Sequence, residues 1–313
     1  MEVKALKFGG LTAKRPIVQG GMGVGVSLSS LAGNVAKCGG VGTISGVHPG
    51  YREADFKENP FRANLRAIGN ELEKAKEIAN GGIIGFNFMT VMNHYEEYVK
   101  EAIAAGADFI VSGAGLPANL AKYAAGTRAA ILPIVSSARA LKLIVKQWQR
   151  ADRLPDAVVV EGPLAGGHLG YPYGHLVDGT FDTLEDSLVD VVDYVRELEE
   201  KNGVKIPVIA GGGVRNHADM ERLMALGASG VQVGTKFVAT EECDAAPAFK
   251  QAYLRSRKED VQLIESPVGL AARAIRNSFL EKVEKQGRIP VQRCYQCMNH
   301  CKQAETKYCI SQA

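Results

Sequence analysis

Near the C-terminal end of the chain stands RCYQCMNHCKQAETKYC, which puts four of the six cysteines, Cys294, Cys297, Cys301 and Cys309, in the spacing C-x2-C-x3-C-x7-C. Four thiolates suit either a tetrahedral zinc ion or a 4Fe-4S cluster. Zinc sites commonly pair two C-x2-C knuckles, whereas a compact three-cysteine run with one outlying partner leans toward a cluster. Cys38 and Cys243 stand alone, near a helix end and in TEECDA, and read as structural.

A second chemical candidate is His168 in EGPLAGGHLGYPYGH. It follows two glycines at the end of an apolar run, and histidine is the side chain whose ordinary pKa best suits proton transfer near neutrality. Of the other five, His94 and His217 fall on helical patterns and His48, His175 and His300 on loops. Glu161, at the end of the same run, reads either as a ligand for hydroxyl groups or as an acid paired with a lysine. A third signal is glycine: QGGMGVG at residues 19–25, Gly211, Gly212 and Gly213 in PVIAGGG, and Gly234-Thr235 in GVQVGT. Glycine permits the close backbone approach an anion needs. QGGMGVG is not G-x-G-x-x-G, and about 20 positions on, where a dinucleotide fold needs an acid, stands Gly46.

These residues share a position. Short apolar runs recur at 16–21, 41–46, 83–88, 108–115, 129–137, 156–162, 207–213 and 230–235, and most of them end in Gly, Ser or Asn. Continuous rather than alternating hydrophobicity suits strands of a parallel sheet covered by helices. Between them lie helical patterns: Leu184, Leu188, Val191, Val195 and Leu198 recur at steps of four and three before Asn202-Gly203, and Asn216 is placed to cap a helix with Met220, Leu223 and Met224 on one face. Eight strands alternating with helices over about 220 residues predict a (β/α)8 barrel, whose chemistry sits at the C-terminal strand ends. A doubly wound open sheet is the alternative, because strand order is not readable here. The barrel is expected over residues 1–240, and 241–313 form a C-terminal extension with a helical portion around 245–257 and the cysteine-rich end.

Composition sets outer bounds. A 313-residue chain that is 46% hydrophobic buries a large core. The net charge of +3, from 37 basic and 34 acidic residues without long single-sign blocks, gives no nucleic-acid footprint. No run approaches the roughly 18 apolar residues of a membrane span, and the start has no apolar leader, so a cytoplasmic protein is expected. In that reducing compartment clustered cysteines point to metal or redox chemistry rather than disulfides. Residues 271–313 hold eight Lys/Arg and three Asp/Glu, a face that could attract an acidic carrier.

PIVQGGMG, SGAGLP, EGPLAGGH, IPVIAGGGV, GASGVQVGTKF and SPVGLAARAI together resemble the FMN-dependent nitronate monooxygenase and enoyl-ACP reductase II (FabK) superfamily, from about residue 12 to 280. QGGMGVGVSLSSLAGNVAK and CYQCMNHCKQAETKYCI are similar to its FabX-type branch, acyl-ACP dehydrogenase/isomerases with FMN and a 4Fe-4S cluster. The resemblance implies that Gly21 and Met22 face the isoalloxazine, Asn87 and Glu161 bind ring or ribityl groups, and Gly166 and Gly167 lie near the flavin. It implies that Gly212, Gly213, Gly234 and Thr235 hold the phosphate, that His168 is catalytic, and that Cys294, Cys297, Cys301 and Cys309 ligate the cluster. It also implies a homodimer.

The leading expectation is therefore an FMN and 4Fe-4S oxidoreductase acting at the α,β carbons of acyl-ACP or acyl-CoA thioesters, with docking of acyl carrier protein and a one-electron redox partner. Its alternative is nitronate monooxygenase, with His168 deprotonating a nitroalkane and O2 reoxidising the flavin. A non-enzymatic redox-sensing module is the third reading.

Overall fold

The computed structural model describes residues 4–299 and 301–311. The chain opens with a hairpin, β1 (Leu6–Phe8) and β2 (Leu11–Ala13), whose two-residue turn is Gly9-Gly10 with φ of +53° and +80°. Paired left-handed residues match the turn to the right-handed strand twist. Then come β3 (Ile17–Gln19), α1 (Ser29–Lys37), β4 (Val41–Ser45), α2 (Pro60–Ala79), β5 (Ile83–Met89), α3 (Tyr95–Ala104), β6 (Phe109–Gly113), α4 (Leu120–Tyr123), β7 (Ala130–Val135) and α5 (Ala138–Trp148). The second half runs β8 (Val158–Glu161), β9 (Gly167–His168), α6 (Tyr173–Asp178), α7 (Leu184–Asn202), β10 (Val208–Gly211), α8 (His217–Ala225), β11 (Gly230–Val233) and α9 (Thr235–Val238). The extension adds α10 (Pro247–Arg255), β12 (Val261–Glu265), β13 (Ala271–Ile275) and α11 (Ser278–Gln286).

Strands β3, β4, β5, β6, β7, β8, β10 and β11 are parallel and close into a barrel, β11 pairing back onto β3. The fold is a (β/α)8 barrel, and its eight strands fall within the eight apolar runs but for one residue at the end of β5. Side chains alternate in and out: Val18, Val41, Ile83, Phe109, Val111, Leu132, Val159 and Ile209 form the interior core, while Ile44, Ile84, Phe86, Ile110, Val158 and Val160 pack under the helices. Leu6, Phe8 and Ala13 of the hairpin join the interior core, with Phe8 edge-on to Phe109 at 6.0 Å. The hairpin thus plugs one end of the barrel.

The helices have the caps their sequences call for. Thr183 and Asp186 form a reciprocal capping box at the start of α7, and Leu184, Leu188, Val191, Val195 and Leu198 are its buried stripe. Asn216 accepts from the Asp219 N–H at the start of α8. For α1 the cap comes from the extension: Asp244 accepts N–H bonds from Leu28 (2.8 Å), Ser30 (3.2 Å) and Leu31 (3.1 Å). No helix among the described residues is long and apolar enough to cross a membrane.

Past α9 the chain does not form a detached tail. β12 and β13 make an antiparallel ribbon, and β13 continues onto β9 of the barrel half, pairing Ala272 with His168 and Arg273 with Gly167. Ala165, Leu169, Leu176 and Ala271 form a small apolar cluster beneath this sheet.

Candidate functional site

Strand alternation carries polar side chains into the open end of the barrel. In β8, Val159 points inward and Val158 and Val160 outward, so Glu161 is the next inward position; by the same parity Asn87 follows the outward Phe86, and Gln232 follows the outward Val231. Gln232 Nε2 donates to Glu161 Oε1 at 2.7 Å. Glu161 is partly exposed, yet it sits deep enough in the mouth for desolvation to push its carboxyl up to about 7, against which the Gln232 bond pulls weakly down. Its partner is a glutamine and not the lysine considered from sequence.

Glycines line the same mouth because side chains would not fit. A Cβ on Gly21 would collide with Asn87, so this backbone lies flat against the end of β5. The loop after Gly21 is closed by Ser27, whose Oγ accepts from the Met22 N–H at 2.9 Å, and a Cβ at Gly234 would stand 3.4 Å from Met22 Sδ. A Cβ at Gly166 would lie 3.6 Å from Thr235 Oγ1. Gly212 and Gly213 have φ of +102° and +80°, and the N–H groups of Gly212, Gly213 and Gly234 make no backbone hydrogen bond among the described residues. Unpaired N–H groups on a backbone without side chains, beside the Thr235 hydroxyl, form a concavity suited to a phosphate. The ends of β3, β5, β8, β10 and β11 thereby converge on one space with a flat glycine wall, inward polar groups and an anion cradle. That combination fits a phosphorylated planar cofactor.

His168 stands at the lip. Its short strand is held by β13, and the Leu169 N–H donates to Ala271 O at 2.8 Å. His168 Nε2 lies 2.8 Å from Ser266 Oγ, and burial lowers the imidazole pKa from its ordinary value. Burial thus favours the uncharged ring.

Cys294, Cys297, Cys301 and Cys309 line one cavity of about 260 Å³, with Asn93, Pro267, Tyr295 and Tyr308 in its wall. Among the described residues no three His, Cys, Asp or Glu side chains converge as a metal-holding group. Burial pushes the Cys297 thiol up, and the neighbouring sulfurs of Cys309, Cys301 and Cys294 push it the same way. A cation among them would reverse that sign. The loop after β5 anchors this segment: Asn93 N–H donates to Cys297 O at 3.2 Å, Asn93 Nδ2 to Gln296 O at 2.7 Å, and Asn299 N–H to Val91 O at 2.8 Å.

The remaining histidines have structural settings. His94 is the left-handed cap of α3, His217 opens α8, and His175 lies within α6 and not in a loop. His300 lies outside the described residues. His48 is buried, with Nδ1 3.3 Å from Asn64 Nδ2, Nε2 3.0 Å from Ser311 Oγ, and Phe56 and Tyr295 edge-on to its ring. Cys243 is buried and donates to Val26 O, and Cys38 is exposed at the end of α1. Sequence reading missed Gln232 and Ser266. Gln232 had a signal, a lone polar residue inside the apolar run GVQVGT; Ser266 had only the turn letters SPVG between two short apolar stretches.

A closed parallel barrel, plugged at one end and carrying at the other a glycine-lined mouth with a neutral histidine, defines a barrel enzyme whose reaction is done beside a bound cofactor. The chain belongs to the nitronate monooxygenase family, which it matches over residues 4–312, and is an FMN-dependent oxidoreductase of the nitronate monooxygenase and FabK superfamily. A probable nitronate monooxygenase of Staphylococcus saprophyticus is 26% identical over 306 residues, 91% of this chain and 82% of that protein. One from Staphylococcus haemolyticus is 35% identical over 136 residues, 43% of this chain and 36% of that one. Among solved structures, FabK from Thermotoga maritima superposes with a TM-score of 0.68 at 26% identity, covering 88% of this chain and 75% of its own. A nitroalkane oxidase from Streptomyces ansochromogenes shares the fold, with a TM-score of 0.62 at 22% identity over 85% of this chain and 78% of its own.

Proposed function

We propose that the chain oxidises nitronates and their parent nitroalkanes, with His168 as the proton carrier. The observation that carries this is the neutral, partly buried His168 at the lip of a glycine-lined barrel mouth. The expectation from sequence ranked thioester oxidation first; the family match and the curated relatives support the nitronate reading better. In it, FMN would be held by Gly212, Gly213, Gly234 and Thr235 at its phosphate, by Asn87 and Glu161 at ring or ribityl groups, and against Gly21, Met22, Gly166 and Gly167. When bound, FMN supplies a two-electron acceptor. His168 takes the proton from the carbon bearing the nitro group, and burial keeps the imidazole unprotonated and ready to accept it.

A second reading is favoured by one observation, the four-cysteine cavity. Four cysteines lining one cavity supply the ligand count of a 4Fe-4S cluster as well as of a zinc ion. With a cluster, oxidation of acyl thioesters at the α,β carbons, with electrons leaving singly to a redox partner, becomes the better use of the same barrel.

Anaerobically purified protein separates the two. Flavin, iron and zinc are measured, and turnover is compared with ethyl nitronate, nitroethane, butyryl and crotonyl thioesters. The nitronate reading expects stoichiometric FMN and nitronate turnover far above every thioester. About four irons per chain with the reverse order of rates would overturn it in favour of the thioester reading, and a His168→Ala variant with full turnover of nitroethane and butyryl thioester, the two substrates whose α C–H must break, would remove the proton carrier from both.

A further inference from the structure

We propose that Ser266 is the positioning residue of His168: its hydroxyl accepts from Nε2–H and thereby leaves the bare Nδ1 as the atom that takes the proton. The inference rests on His168 being the proton carrier, in either reading of the substrate.

His168 ends a two-residue strand that begins at Gly167, with φ +75°, and Gly166 and Gly170 lie close on either side. Such a backbone does not by itself hold a ring in one orientation. Ser266 supplies the hold from the far end of the sequence, 98 positions away, at 2.8 Å. Its own place is fixed by the turn joining β12 to β13: the Ser266 N–H donates to Leu270 O, Ser266 O accepts from the Gly269 N–H, both at 2.9 Å, and Ser266 Oγ accepts from the Val268 N–H at 3.3 Å. The residue is only 7% exposed. Among the described residues Nδ1 has no hydrogen-bond partner, so it is the nitrogen left for substrate.

The proton bookkeeping selects the tautomer. For Nδ1 to act as base its lone pair must be free, so the single ring proton sits on Nε2 and needs an acceptor. When the substrate C–H breaks, the electron pair stays on carbon, the proton joins Nδ1, and Nε2–H continues to donate to Ser266 Oγ. A hydroxyl oxygen accepts two hydrogen bonds, here from Val268 N–H and Nε2–H, and serves both states without moving. A carboxylate in this place would stabilise the imidazolium; a neutral hydroxyl does not, and burial, with no charged side chain shifting the ring, keeps His168 unprotonated.

The test uses FMN-loaded protein with ¹⁵N-labelled histidine, His168→Gln assigning the resonance. At pH 8 the wild-type imidazole should show a protonated Nε2 and a bare Nδ1; Ser266→Ala should give a tautomer mixture, and Ser266→Thr should restore the wild-type pattern. With nitroethane and butyryl thioester as probes, Ser266→Ala should lower kcat on the order of tenfold with KM nearly unchanged, and Ser266→Asp should move the acid limb of the pH profile upward by about one unit. Flavin content and circular dichroism report folding of each variant. Wild-type nitrogen shifts and an unshifted profile in both Ser266→Ala and Ser266→Asp would overturn the proposal while leaving His168 as proton carrier. Full turnover of nitroethane and butyryl thioester in a His168 variant would instead remove His168 as proton carrier, with the Ser266 contact still visible in the wild-type spectrum.

Discussion

At the scale of single residues, the mouth of the barrel is built from groups whose alternatives the geometry forbids or penalises. Gly21 is the sharpest case, since any Cβ there drives into Asn87. Gly21→Ala should fold, because the clash lies at an open strand end, but purify with FMN content reduced at least tenfold; unchanged flavin loading would show that this wall does not face the ring. Glu161 is a penalty of another kind. Desolvation raises its carboxyl to about 7 from 4.5, so its contribution favours folding below the ordinary value and is lost as pH rises through 7. At pH 8 the ionised group costs the FMN-free protein about 2 kcal/mol, reduced from the full shift because the side chain is partly exposed. Glu161→Gln keeps an oxygen for the Gln232 donor and removes the charge. Urea unfolding of the FMN-free protein should show the variant gaining stability over wild type at pH 8 and little at pH 5. Equal differences at the two pH values would mean that Glu161 titrates normally.

At the scale of elements, what was legible in the sequence follows from how each element is stabilised. The eight barrel strands are buried on both faces, so Val158, Val159 and Val160 announce one without help from alternation, and α7 carries its stripe and both caps in its own letters. The hairpin Leu6–Ala13 did not announce itself, because three-residue strands carry no periodicity and are held by the barrel interior they plug. The sheet of β9, β12 and β13 was invisible for the same reason: β9 has two residues, β12 is half-exposed, and the pairing of β13 with β9 joins segments about a hundred positions apart. The cap of α1 by Asp244 is likewise a long-range contact. So is the docking of the tail on His48. Burial alone pushes His48 down to about 4 from 6.5, among Asn64, Ser311, Phe56 and Tyr295. A lowered imidazole pKa gives stability that is fully present above 6.5 and lost as pH falls toward 4, about 2 kcal/mol between pH 6.5 and 5. Thermal unfolding should therefore fall more steeply over that interval in wild type than in His48→Gln. Parallel curves would place the acid sensitivity elsewhere.

At the scale of the whole molecule, the extension ties together two sides of the barrel mouth that are distant in sequence. One tie runs from the cysteine segment to the loop after β5, through Val91, Met92 and Asn93, four to six residues beyond Asn87. The other runs through the β12–β13 turn, where Pro267 lines the cysteine cavity and its neighbour Ser266 holds His168. Whatever fills the cavity therefore bears on both the loop that follows Asn87 and the setting of His168. The barrel core does not depend on it: the interior cluster and hairpin plug lie at the opposite end. Cys297→Ser retains the main-chain bond to Asn93 and alters only the lining of the cavity. It should keep its far-UV spectrum and FMN, lose any bound iron, and exchange amide hydrogens faster at residues 90–94 and 266–270 while β7 and α5 stay protected. Faster exchange spread evenly over the barrel would mean that the cavity braces the whole fold, and no change at 266–270 would cut the link between the cysteines and His168.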